Sequence, residues 1–357
     1  MVGAFLPLSL RPAASSVESE RPGEGAFRRI IHSQGALGIR GKCVMKLPRF
    51  RPRFRFSLRA MLVGLTLVGC VLGWLMLKRS EARREREAAE ALRNLNAMVF
   101  YDFEVDQTGV SAQPTPPGPR WLTALLGENL FAHVHGVSFP YVEGVLTTQP
   151  YRLDRRDLGD KDLALVARFK HLETLYLNGF PIHSAALAGI ERLVDLKDLS
   201  MASTAIDDEA LRHVAKVSGL ERLVVVDTKI TSDGLRYLAP LSQLRELHLD
   251  STLVSDDGLA HLAKLPSLRT LNLDNQGKST YRTQITDRGL RHLKALPNLE
   301  ELSLAGTDVS DAGLKELPGL KRLKYLSVYD TQVSAQAARK LEAALPGLKV
   351  FTQRPTR

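Results

Sequence analysis

From Leu172 onward the chain repeats one text every 24 residues, and no other property constrains its fold as tightly. The register L-x-x-L-x-L opens at Leu172, Leu196, Leu220, Leu244, Leu268, Leu299 and Leu323, with a truncated echo at Leu348. Two intervals depart from 24: Leu268 to Leu299 is 31, and Leu323 to Leu348 is 25. Each period continues with a Thr, a β-branched residue and a D-x-G-L-like block. The third reads Thr228, Ile230, Asp233, Gly234, Leu235, and the fourth Thr252, Val254, Asp257, Gly258, Leu259. Self-similarity at this period means stacked supersecondary units, each burying its apolar face against its neighbours.

Local rules define one unit. The L-x-L alternation predicts a short half-buried strand, with Leu247 and Leu249 inward and Glu246, His248 and Asp250 outward. Ser255 is placed to cap a helix whose first turn is acidic, as the helix dipole favours. Leu259, Leu262 and Leu265 form its apolar stripe. Strand, helix and next parallel strand make a compact right-handed crossover. The expected fold is therefore α/β: a right-handed curved solenoid with parallel strands on the concave face and helices on the convex face. The Thr column (Thr204, Thr228, Thr252, Thr307, Thr331) is expected to bridge adjoining buried turns through its hydroxyls. On these residues the chain resembles the leucine-rich repeat family over about its C-terminal half. The resemblance implies a protein- or peptide-binding concave face and names no ligand.

A second signal is apolar. Residues 60–77, opening at Ala60 and closing at Leu77, run without a charge and are long enough to cross a bilayer. Lys46, Arg49, Arg51, Arg53, Arg55 and Arg59 precede this segment, and Lys78, Arg79, Arg83, Arg84 and Arg86 follow it. A basic leader ahead of one apolar segment has the pattern of a signal-anchor. The expected topology is single-pass, with the N-terminus cytoplasmic and the repeats outside the cytoplasm. Met45 makes a more natural start than Met1. Leu67 to Cys70 resembles a lipoprotein cleavage box, but the apolar residues that continue to Leu77 argue against lipidation of Cys70.

The remaining organisation follows from composition. Residues 1–44 form a leader without periodicity, and 45–59 a basic cytoplasmic segment. Residues 78–97 predict a charged, solvated juxtamembrane helix, with Ala88, Ala89, Ala91 and Leu92 its least polar part. Residues 98–120 predict an edge strand and a Pro-rich linker. The N-terminal cap of the solenoid is expected over 121–171, from Trp121 through a strand with Val134, Val137 and Phe139 to a helix ahead of Leu172. Repeats fill 172–351, closing with a helix from Ala337 to Leu345, and 352–357 is a tail. The basic leader, apolar segment, Glu/Arg-rich helix and repeats together look like bacterial membrane-anchored leucine-rich repeat proteins.

Charge narrows the partners. The net charge is +10, yet residues 151–357 hold 30 Lys and Arg against 27 Asp and Glu, so most of the excess flanks the apolar segment. That placement suits anionic head groups and excludes a nucleic-acid role for the solenoid. Cys43 and Cys70 build no disulfide framework. His133 and His135 share one strand face without an evident third ligand, and no phosphate loop, nucleophile elbow or zinc-protease motif occurs. No cofactor, metal or catalytic residue is expected.

What remains is surface. Candidate partner-binding residues are the outward positions Tyr176, Glu246, His248, Asp250, Asn272, Asp274, Tyr325 and Tyr329, with Tyr281 and Arg282 in the seven-residue insertion that lengthens one period from 24 to 31. The expected role is a non-enzymatic interaction module on a membrane tether. The alternatives are a lipoprotein-anchored surface protein, or an adaptor similar to F-box leucine-rich repeat receptors, although no F-box helices precede the repeats.

Overall fold

The computed structural model describes residues 57–95, 97–102, 132–139, 160–180, 182–275 and 279–353. The leader 1–44, most of 45–59, the Pro-rich linker and Trp121 lie outside the described residues. The chain divides into two units, Met1–Ala60 and Met61–Arg357. The described part of the first is the opening of helix α1 (Leu58–Asn94).

Ten strands form one sheet in chain order. They are β1 (Met98–Tyr101), β2 (Val134–Ser138), β3 (Thr174–Tyr176), β4 (Asp198–Ser200), β5 (Arg222–Val224), β6 (Glu246–His248), β7 (Thr270–Asn272), β8 (Glu301–Ser303), β9 (Tyr325–Ser327) and β10 (Lys349–Phe351). Among the described residues only β1 and β2 pair antiparallel; every later pair is parallel. The middle residue of each repeat strand falls in one ladder: Leu175, Leu199, Leu223, Leu247, Leu271, Leu302, Leu326 and Val350. Its seven leucines are buried, as the L-x-L alternation requires. Each contributes on the order of 1.5–3 kcal/mol, which no isolated repeat could recover.

After each strand the chain turns sharply. Gly179, Ser203, Asp227, Ser251, Gly306 and Asp330 occupy the same turn position with φ between 49° and 72°, the left-handed region. The Thr column sits one residue on, but its hydroxyls do not bridge adjoining turns. Thr204, Thr228, Thr252, Thr307 and Thr331 each donate to the carbonyl three residues earlier in their own repeat, at 2.5–2.7 Å. Adjoining turns are joined by backbone amides instead, as in Asp227 N to Asp250 O and Ser251 N to Asp274 O, both 2.9 Å.

A second ladder joins the helix starts on the convex side. Asp208 accepts from the amide and hydroxyl of Thr231 at 2.8 and 2.6 Å. Asp256 does the same with Thr286, Asp287 with Ser310, and Asp311 with Ser334. Ser184 and Ser232 hold the equivalent place in two repeats, bonding Asp207 and Ser255. The ladder position is thus the residue before Asp233 and Asp257: Ser232 in one repeat and Asp256 in the next. Ser255 occupies its cap position without a capping bond, and its hydroxyl bonds Ser232 instead. The ladder also explains the glycines: a Cβ on Gly234, Gly289 or Gly313 would stand 2.3–2.4 Å from Oδ1 of the preceding repeat's aspartate.

The convex elements are shorter than the periodicity predicts. The first repeat has only 3-10 turns, Ser184–Leu187 and Ile190–Arg192, and later repeats combine α-helices as short as Ser232–Leu235 with 3-10 turns. The longest convex helix is the last, Ala335–Ala344.

Helix α1 departs most from expectation. Over residues 60–77 its side chains are exposed apart from half-buried Leu75, and it is long and apolar enough to cross a membrane, with mean hydropathy 2.3 over its most apolar window. The same helix continues without a break to Asn94, and its far end is not solvated: Ala88, Ala89 and Leu92 are buried in the solenoid core. Beside them Glu85, itself buried, faces Nδ1 of His133, the residue before β2, at 3.7 Å. That carboxylate raises the His133 pKa against the opposing effect of burial. Glu81 bonds Lys170 at 2.7 Å, just after helix α2 (Asp160–Val166). The C-terminal half of α1 is therefore part of the N-terminal cap.

A candidate interaction surface on the concave sheet

Sheet register sets the outward columns. The central one runs Tyr176, Ser200, Val224, His248, Asn272, Ser303 and Ser327, and the column before it Thr174, Asp198, Arg222, Glu246, Thr270, Glu301 and Tyr325. Neighbouring strands lie about 4.8 Å apart, so adjacent repeats place these side chains in contact.

The N-terminal part of this face is closed on itself. Tyr176 donates its hydroxyl to Asp198 Oδ2 at 2.6 Å, and Arg222 bonds Asp198 at 3.2 Å and Glu246 at 2.9 Å. Desolvation and the bond to Asp198 push the Tyr176 phenol up to about 12. Burial disfavours the Arg222 charge, and Asp198 and Glu246 more than offset it. Tyr176 and Glu246 are thus members of one charge ladder rather than free contact groups.

The middle of the face is different. Asp250 is half-buried, and its Oδ2 is fully buried with no hydrogen-bond partner among the described residues. Burial, then the neighbouring Asp274, pushes its carboxyl up to about 7. Asp274 is buried and accepts from the Ala305 amide at 2.8 Å, while its own amide donates to Asn272 Oδ1 at 3.1 Å. His248 lies in the next column, its pKa lowered by desolvation and then by Arg222.

The insertion begins at this place. Asn275 stands where other repeats put their left-handed residue, and its side chain closes the neck of the loop. Its Nδ2 donates to Thr283 O and its Oδ1 accepts from Thr283 N, both at 2.7 Å. Thr283 Oγ1 donates to Leu273 O at 2.8 Å, across a sequence separation of 10. That separation is the three of the other repeats plus the seven inserted residues, so Thr283 is the displaced member of the Thr column. Its signal was readable: Thr283 precedes Ile285 as Thr228 precedes Ile230. Ser279 reaches back across a sequence separation of 52 to donate to Asp227 Oδ1 at 2.5 Å, and accepts from Tyr281 N at 3.0 Å. Residues 276–278 of the insertion lie outside the described residues.

His248, Asp250, Asn272 and Asp274 therefore converge on adjacent strands, beside a loop anchored at both ends. Tyr281 is half-buried in that loop and Arg282 exposed. Tyr176 lies three strands from β6, about 14 Å away, and does not join the group. Tyr325 is 44% exposed, and Tyr329 half-buried, two strands beyond β7. Asp198, Arg222, Asp227, Asn275 and Thr283 were not singled out from sequence. The first two were legible as opposite charges at one position of successive periods. Among the described residues no group of three or more His, Cys, Asp or Glu could hold a metal ion, and His133 instead packs on His171 with ring centroids 4.4 Å apart.

Strand, buried turn and short convex helix, repeated along a parallel sheet, make this part of the chain an α/β solenoid. Residues 295–317 match the family model described as a leucine-rich repeat. Among solved structures, an internalin of Listeria monocytogenes is similar at 24% identity and TM-score 0.43, over 54% of this chain and 51% of that one. Internalin C2 of the same organism is similar at 22% identity and TM-score 0.42, over 54% of this chain and 84% of that one. No curated protein sequence matches the chain.

Proposed function

We propose that this chain is a non-enzymatic interaction module that holds a protein or peptide on the concave face of its repeats and is tethered to a membrane by residues 60–77. In this reading the N-terminus is cytoplasmic and the repeats lie outside the cytoplasm. The observation that carries it is the pre-anchored insertion. Ser279, tied to Asp227, and Asn275, bonded to Thr283, stand beside an incompletely bonded Asp250, so a partner meets side chains already held in place. His248, Asp250, Asn272, Asp274, Tyr281 and Arg282 form the proposed contact. The tether rests on the length, hydropathy and exposure of the N-terminal part of α1.

The test uses the full chain in its own membranes, with a photo-crosslinking residue at Tyr281 and, as control, at convex Lys264. A specific adduct from Tyr281 alone, lost with His248→Ala, supports the reading. Equal labelling at both positions, or indifference to His248→Ala, refutes it. Protease added to spheroplasts tests topology: a repeat domain protected until the cytoplasmic membrane is opened refutes the outside placement.

A further inference from the structure

Helix α1 enters the solenoid cap without a linker, and its docked stripe leads back toward the apolar segment. Leu77, Glu81, Arg84, Ala88 and Leu92 recur at helical spacing, running from the last apolar residue into the core. Between this stripe and the turn after α2 lies a groove of about 790 Å³. Leu77 and Ser80 line it at the apolar end, with Glu81, Arg84, Arg168 and Lys170 beyond.

The acids of this groove are already engaged. Glu81 bonds Lys170 at 2.7 Å and stands 3.6 Å from Lys78, Glu85 faces His133, and Glu87 pairs with Arg83 at 2.8 Å. Arg84 and Arg168 are exposed and have no hydrogen-bond or ion-pair partner among the described residues. Lys170 is held charged chiefly by Glu81 and is opposed by Arg84, so two cations stand close enough to repel. At 1.5 Å per residue, Ser80 lies about 5 Å and Arg84 about 10 Å beyond Leu77. The headgroup layer on each side of a bilayer is about 5–8 Å deep, and a guanidinium on its three-carbon stem reaches back into it.

We propose that this groove is a binding site for the phosphate of an anionic phospholipid, held by Arg84 and Arg168 with Lys170 behind them and its glycerol end against Leu77 and Ser80. The inference rests on the membrane reading of residues 60–77. A lipid bound here stitches the cap to the bilayer surface and holds the first repeats against it.

The experiment places the full chain in phosphatidylcholine vesicles containing spin-labelled phosphatidylglycerol or spin-labelled phosphatidylcholine, and compares the immobilised fractions. The native chain is expected to prefer phosphatidylglycerol, and the preference to fall roughly fivefold for each of Arg84→Gln and Arg168→Gln. Convex Arg212→Gln should leave it unchanged, with circular dichroism showing all variants folded. An alkaline wash separates the two readings. A chain washed off the vesicles overturns the membrane reading and this site together. A chain that stays, without preference or with a preference indifferent to Arg84 and Arg168, overturns the site alone. Loss of the preference on adding inorganic phosphate at constant ionic strength also overturns it, since the site would then take a free anion.

Discussion

Gly289→Ala has an effect whose sign separates helix propensity from the inter-repeat ladder. Gly289 lies in the helix Asp287–Leu290, where replacing Gly by Ala ordinarily stabilises by about 0.8–1 kcal/mol. Here the new methyl would stand 2.4 Å from Asp256 Oδ1. Asp256 would have to swing away from Thr286, whose amide and hydroxyl it holds at 2.8 and 2.6 Å. Each hydrogen bond to a charged group contributes about 1.5–3 kcal/mol. Losing one outright and part of the other, against the propensity gain, leaves a net destabilisation of about 1–3 kcal/mol. Urea unfolding of the full chain followed by circular dichroism measures it, and hydrogen exchange at the Thr286 amide localises it. The double variant with Asp256→Ala should show strong coupling, because the methyl then meets only the flexible end of Leu259, at 3.1 Å. The chain holds its own control: Ala210 occupies the equivalent position, facing the shorter Ser184. A Gly289→Ala chain as stable as the native one, with Thr286 still protected, would refute the ladder argument.

Three further expectations follow from the same geometry. Because the folded-state pKa of Asp250 is raised to about 7, the native state holds a proton that the unfolded chain releases near 3.9. Stability should therefore decline as pH rises through that window and level off above it, and Asp250→Asn should flatten the decline; a urea midpoint series across pH reads both, and identical profiles would refute the assignment. Thr252→Val keeps the shape of a fully buried side chain but leaves Leu249 O without its 2.7 Å donor, so unfolding should be easier by about 1–3 kcal/mol, while Thr252→Ser restores most of the loss. Asn275→Ala opens the neck of the insertion, so the Thr283 amide should exchange faster with little change in the urea midpoint; unchanged exchange would show that the loop is held some other way.

The period revealed nearly all of the sheet, because L-x-L alternation and burial are local rules that every repeat obeys. The convex side was less legible: sequence marks where a helix starts, yet repeats of equal length close differently, one as the α-helix Asp208–Val214 and the next as Ser232–Leu235 followed by the 3-10 turn Arg236–Leu238. The Thr column was recognised but its partners misjudged, since spacing cannot tell a bond within a turn from one between turns. Helix α1 was read as solvated because Glu and Arg dominate its composition. Only the sheet beside it shows that Ala88, Ala89 and Leu92 turn toward a core and Glu85 toward a histidine. On the concave face the candidate residues remain proposals. What sequence could not supply was which were already bonded, as Tyr176 is to Asp198, and which, like Asp250 Oδ2, were left without a partner.

An unbroken helix carries a bearing as well as a length. Each residue of α1 turns the chain by about 100° and advances it about 1.5 Å, and the first grip of the solenoid on the helix beyond the apolar segment falls at Glu81. The short stretch 78–80 therefore sets the compass direction in which the concave face looks, relative to the apolar segment. Deleting one residue there would swing the whole array of repeats by more than a quarter turn, whereas deleting seven from a longer spacer would nearly restore its heading. In this protein, aim is written in the number of residues between two fixed points.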